Sequence, residues 1–83
     1  MKMRVLAVLD VQASCFMQPM FCQSDGVAVR LLTDEVNRAA QDNVLYQHPE
    51  DFRLFRLGQW DNATGIFEGH NPELVVDAAT LRR

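Results

Sequence analysis

What most constrains this chain is a first segment whose apolar residues fall on both faces of a strand. From Met1 to Val11 the sequence is rich in branched residues, which suits a β-strand. Side chains alternate across a strand, so Met3, Val5, Ala7, Leu9 and Val11 share one face, while Leu6 and Val8 lie on the other beside Arg4 and Asp10. The pattern recurs. A second strand, Phe16 to Gln23, sets Phe16, Met20 and Cys22 against Met17, Pro19 and Phe21, and a third sets Phe52 and Leu54 against Phe55 and Leu57. A half-exposed antiparallel sheet alternates cleanly between apolar and polar residues. These strands therefore call for cover on two sides.

The rest of the chain supplies cover for one side. Gln12-Ala13-Ser14 is short enough to join the first two strands as a hairpin. Ser24-Asp25-Gly26 reads as a helix start, because a Ser or Asp oxygen accepts from the free N–H groups of a first turn. Val27, Leu31, Leu32, Val36, Ala39 and Ala40 then recur at helical spacing as one apolar stripe, with Arg30, Asp34 and Arg38 as a ladder of alternating charge on the solvated face. Gln41 to Gln47 is a loop, anchored by Val44, Leu45 and Tyr46. In His48-Pro49-Glu50-Asp51 the proline fixes its own φ and pushes His48 toward extended conformations, shaping the lead-in to a strand.

Phe52 to Trp60 and Ile66 to His70 form a second hairpin around Asp61-Asn62-Ala63-Thr64-Gly65, a turn in which Gly takes the left-handed position. Asn71-Pro72-Glu73 reads as another helix start, with Asn as cap and Pro at the first helical position, opening a short C-terminal helix through Thr80. The order is β-β-α-β-β-α in one α+β domain spanning residues 1–83: an antiparallel sheet of two hairpins with one main helix packed on one face. For the second face the C-terminal helix offers only Leu74, Val75, Ala78 and Leu81. The leftover apolar surface predicts a partner, most simply a second copy of the chain in a closed two-fold dimer.

With 83 residues, the chain buries a modest fraction of its surface, and such domains often need staples or partners. Cys15 and Cys22 are the only possible covalent staple. In or beside an extended strand their α-carbons lie too far apart for a disulfide, so both are expected as reduced thiols. A cysteine pair with no His partner nearby is also a poor zinc site; no metal and no cofactor are expected. Asp10 ends the N-terminal apolar run, and neither a signal-peptide pattern nor a membrane span is present, which predicts a reducing cytoplasm. Eleven acids against eight bases give a net charge of −3, the wrong sign for a protein that coats nucleic acid.

Reactive groups do not converge in the sequence. His48 and Glu50 flank a proline in a turn without a nucleophile motif, and His70 precedes Asn71-Pro72 as a strand-end residue. Asp61, Asn62 and Thr64 lack the twelve-residue calcium loop with its terminal Glu, so they read as turn chemistry. With no Walker loop, nucleophile elbow or paired-carboxylate motif, the expectation is a protein that is not an enzyme. For single-stranded DNA the relevant set is Arg4, Arg53 and Arg56 with Phe52, Phe55 and Trp60, because such binders combine cations for phosphates with aromatic platforms for bases; Phe52 and Phe55 read first as core, which leaves Trp60 as the better platform. The arginines do not share one face: Arg53 goes with Phe55, and Arg56 with Phe52 and Leu54. Trp60, near a hairpin tip, suits contact with a protein equally well. Trp60, the Arg30 and Arg38 helix face and the loop at His48 are thus the candidate partner-binding positions.

The motifs H-P-E-D-F, L-F-R-L-G, W-D and A-T-G, in this order and spacing between His48 and Gly65, resemble the small nonstructural protein of gokushovirus-type microviruses, the icosahedral phages with single-stranded DNA genomes. The likeness continues upstream through the Val-rich first strand ending in Asp10, the Phe16-to-Phe21 segment with Pro19, and the A-V-R-L-L-T-D-E-V-N stretch from Ala28 to Asn37. The resemblance implies a viral accessory protein of the bacterial host cytoplasm. It also implies a role in single-stranded DNA synthesis or the switch to genome packaging, with viral or host replication or packaging proteins as partners.

Overall fold

Both edges of the first strand, β1 (Lys2–Asp10), are occupied, which makes it the centre of the sheet. The computed structural model describes all residues, Met1–Arg83. Two short strands, β2 (Cys15–Phe16) and β3 (Met20–Cys22), lie end to end along one edge of β1, and β4 (Phe52–Asp61) lies along the other, followed by β5 (Phe67–Asp77). Every pairing is antiparallel. The helix α1 (Asp25–Val36), the single turn α2 (Val44–Gln47) and two 3₁₀ turns, Pro49–Asp51 and Ala78–Leu81, complete an α+β fold. No helix is long and apolar enough to cross a membrane.

α1 starts where the sequence places it: the Ser24 hydroxyl accepts from the Val27 N–H at 3.3 Å. Its buried stripe is Ala28, Leu32 and Val36, so the helix is rotated from the predicted stripe and leaves Val27 and Leu31 exposed. Ala39 and Ala40 lie past its end. The predicted Arg30–Asp34–Arg38 ladder is not formed, because Arg38 turns to Glu35, with a 2.6 Å contact. That hydrogen-bonded guanidinium holds the Glu35 carboxyl below its ordinary range. The core joins α1 to one sheet face through Leu6, Val8, Cys22, Leu45, Phe52, Leu54 and Ala78.

Two further departures follow from the backbone. The predicted second strand is broken at Met17–Pro19, after the Met17 N–H donates to the Val8 carbonyl at 2.8 Å. Because pairing restarts beyond the break, Phe16 opposite Leu9 and Phe21 opposite Val5 share one face, where unbroken alternation would oppose them. The predicted C-terminal helix from Asn71 is also absent. β5 continues to Asp77, drawn out by the free edge of β4, and only Ala78–Leu81 make a helical turn. Pro72 is tolerated there because His70, Asn71 and Pro72 stand opposite Leu57 alone, between the pairs Gly58↔Gly69 and Arg56↔Glu73. A missing N–H costs no ladder bond at such a bulge on an edge strand.

The β4–β5 turn has the predicted chemistry. Asp61 accepts from the Ala63 N–H at 2.9 Å, the Gly65 N–H donates to the Asp61 carbonyl at 2.7 Å, and Gly65 has φ 77°. The Ala63 N–H, with the N-terminal ammonium adding to it, holds the Asp61 carboxyl below its ordinary value.

The two cysteines are free, Cys15 exposed and Cys22 buried. They pair opposite Asp10 and Arg4, which separates them by about 20 Å along β1 at roughly 3.3 Å per residue. Burial raises the Cys22 thiol pKa. Iodoacetamide at neutral pH is therefore expected to alkylate Cys15 on the native protein and Cys22 only after denaturation. Mass spectrometry of native and denatured samples checks this, and equal native labelling of both would contradict the burial of Cys22.

Candidate protein-interaction face

The sheet face opposite α1 is built from the odd-numbered side chains of β1 and whatever the register sets beside them. Opposite Leu9, Ala7, Val5 and Met3 the β4 partners are Arg53, Phe55, Gly58 and Trp60, and the β5 residues paired to those are Asp77, Leu74, Gly69 and Phe67. A β-bulge at Leu57 decides this composition. Strict alternation from Phe52 would send Trp60 to the helix side, but the extra residue between Arg56 and Gly58 reverses the phase, the usual effect of a bulge. Trp60 thereby joins Phe21 and Phe67.

The rings meet one another. Phe21 lies edge-on to Trp60 and to Phe67, with centroids 5.5 and 6.0 Å apart, Trp60 lies 6.0 Å from Phe67, and Phe16 lies edge-on to Phe55 at 5.7 Å. Phe16, Phe21, Phe67 and Leu74 remain 40%, 44%, 62% and 55% exposed. Between the Phe55/Leu74 row and the Trp60/Phe67 row, Gly58 and Gly69 face each other and leave a shallow trench of about 190 Å³, with Val5 and Phe67 in its lining. In these four rows the charged residues are Arg53 and Asp77, paired with each other at 3.4 Å. The face is apolar and electrically balanced.

The residues proposed for DNA contact are not brought together. Arg56 lies on the helix side, bonded to Asp25 of α1 at 2.7 Å and to Glu73 of β5; both carboxylates favour its charged form, the Glu73 hydrogen bond foremost. It serves as a staple between helix and sheet. Arg53 is tied to Asp77 on the open face, and Arg4, exposed and without an ion pair, is on the opposite face from Trp60. The candidate partner-binding positions also separate. Arg30 and Arg38 are exposed on and just past α1, and His48 lies by the start of β4, at the other end of that strand from Trp60. Of that set only Trp60 belongs to the aromatic face.

Two other features have some of the ingredients of a site. His48, Glu50 and Asp51 bring three ligand-type atoms within 4.8 Å at the surface, and the His48 Nδ1 is 3.7 Å from Glu50. Exposed groups of this kind are common without an ion. On the helix side, Val8, Met17, Met20, Leu31, Leu32 and Leu45 line an apolar groove of about 320 Å³.

A family model described as Phage ORF5 protein matches residues 3–81. The chain belongs to the Phage ORF5 protein family. No match is found among curated proteins or among solved structures. Membership makes this a phage protein. The two-sided apolar strands are legible in the sequence, and so is Phe55 beside Trp60 as a candidate aromatic, but Phe16, Phe21 and Phe67 are not legible as their companions. The available signal was Leu57-Gly58, since a glycine inside a strand pattern often marks a bulge.

Proposed function

We propose that this Phage ORF5 protein is a nonenzymatic accessory protein that acts by protein–protein contact, as a homodimer in the bacterial cytoplasm, during single-stranded DNA genome synthesis or packaging. The open aromatic face carries the reading. Contiguous apolar surface on this scale marks an interaction site, and a charge-poor centre with Trp and Phe is the composition of interface cores. The resemblance to the gokushovirus nonstructural protein supports the stage of the phage cycle, with viral or host replication or packaging proteins as the further partners.

The same rings favour a second reading. Sheet-borne aromatics can stack bases, and Phe21, Trp60 and Phe67 form such a platform. A phosphate track also needs cations, and the one cation in the rows, Arg53, is already neutralised by Asp77.

Light scattering on the purified protein, with binding of a labelled oligonucleotide across a salt series on the same sample, separates the two. The expected result is a dimer mass with no salt-sensitive binding. A monomer that binds the oligonucleotide at low salt, with binding lost in Trp60→Ala, would overturn the protein-contact reading.

A further inference from the structure

The face holds both halves of its own complement, and from this we infer how two copies fit: Leu74 of each copy seats against Gly69 of the other, at the open end of the Gly58–Gly69 trench. This rests on the dimer reading above and specifies its interface. An isologous contact requires a surface that carries both projection and recess. Here the rows along the strands run Arg53/Asp77, Phe55/Leu74, Gly58/Gly69 and Trp60/Phe67. A two-fold axis lying across the strands, between the second and third rows, lays the second row of each copy on the third row of the other. The first row then lies on the partner subunit's fourth.

In the β5 column Leu74, 55% exposed, meets the exposed Gly69 of the partner subunit, whereas in the β4 column Gly58 is already buried and takes no knob. Arg53 comes over the partner subunit's Trp60, an arginine–indole arrangement that is attractive and that leaves its ion pair to Asp77 intact. No like charges are opposed, because each copy contributes only that one pair. Sheets packed face to face stand about 10 Å apart with interdigitating side chains, which suits a ridge entering a trench. Four strands at about 4.8 Å spacing and nine or ten residues at about 3.3 Å give a face of roughly 20 by 30 Å. Both copies together then cover on the order of 1,200 Å², above the roughly 1,000 Å² that a specific interface needs.

Gly69 allows a clean test because its recess is open: an added Cβ meets nothing closer than the Leu57 carbonyl oxygen at 3.9 Å. Gly69→Val therefore places its Cβ without a clash and projects two methyl groups into the recess, and valine suits a strand. Sedimentation equilibrium of wild type, Gly69→Val and Gly69→Val/Leu74→Ala, with circular dichroism confirming the fold of each, reads the outcome. The expected series is a dimer, a dimer weakened at least about tenfold, and recovery in the double variant, where the shortened knob makes room. A wild-type dimer that Gly69→Val leaves unchanged would overturn the trench contact and leave the dimer standing. Weakening without recovery in the double variant would overturn the pairing with Leu74, and a monomeric wild type would overturn the dimer itself.

Discussion

Gly58→Ala is expected to lose about 2–3 kcal/mol of stability, the scale of forced overpacking in a closed structure. A Cβ at this position would lie 2.1 Å from the Glu68 carbonyl oxygen and 2.9 Å from the Gly69 Cα. Both obstacles are backbone, so no side-chain rotation relieves them. β4 and β5 would have to part at their narrowest point, next to the bulge that aims Trp60. A small domain is held by only about 0.05–0.15 kcal/mol per residue, so a loss of this size is a large share of the total. Urea denaturation followed by circular dichroism measures it, with two glycines of the same hairpin as references. Gly69→Ala should be nearly silent because its recess is open, and Gly65→Ala should cost about 1 kcal/mol, since nothing crowds it but φ is 77°. Equal effects at Gly58 and Gly69 would show that close strand approach is not what requires glycine at 58.

That contrast also marks how far the sequence could be read. Local chemistry was legible: the Ser24 cap, the Asp61–Gly65 turn and the strand after Pro49 each depend on neighbours within a few residues, and each forms as expected. The demand for cover on both faces of β1 was legible too, because it needs only alternation. Phase was not. Leu57 adds one residue to β4 and reverses the facing of everything beyond it, and the break at Met17–Pro19 does the same for Phe21 relative to Phe16. Both are settled by pairing with a distant strand. Asn71-Pro72 carries a sound helix-start signal that loses to the ladder β4 offers, a tertiary preference that no local window contains. The aromatic face was therefore implied in bulk and invisible in membership. Arg56 lies on the face read for it, with Phe52 and Leu54, but its partners Asp25 and Glu73, 31 and 17 residues away, were not legible.

Asn43 is a consequence of long-range geometry that sequence reading passed over, and its loss is the second large effect expected. It is 5% exposed, and its amide donates to the Glu35 and Arg38 carbonyls at 2.8 and 2.9 Å while its Oδ1 accepts from the Leu45 N–H at 3.2 Å. One side chain thus closes the C-terminal end of α1 and caps α2, seating Leu45 in the core, whereas Val44, expected as an anchor, is 51% exposed. Asn43→Ala removes the amide's bonds to the Glu35 and Arg38 carbonyls and the cap on Leu45, a cost of about 2 kcal/mol. Asn43→Asp separates hydrogen bonding from packing, because it keeps the shape and the cap but turns an acceptor toward two carbonyl oxygens. At neutral pH it should be at least as unstable as the alanine variant. The introduced carboxyl would have its folded pKa raised, so its penalty is full above that value and shrinks as pH falls through it. Denaturation of both variants between neutral pH and pH 4 is expected to show the aspartate variant regaining ground on the alanine variant. Wild-type stability for Asn43→Asp at neutral pH would mean that the two carbonyls do not depend on this amide.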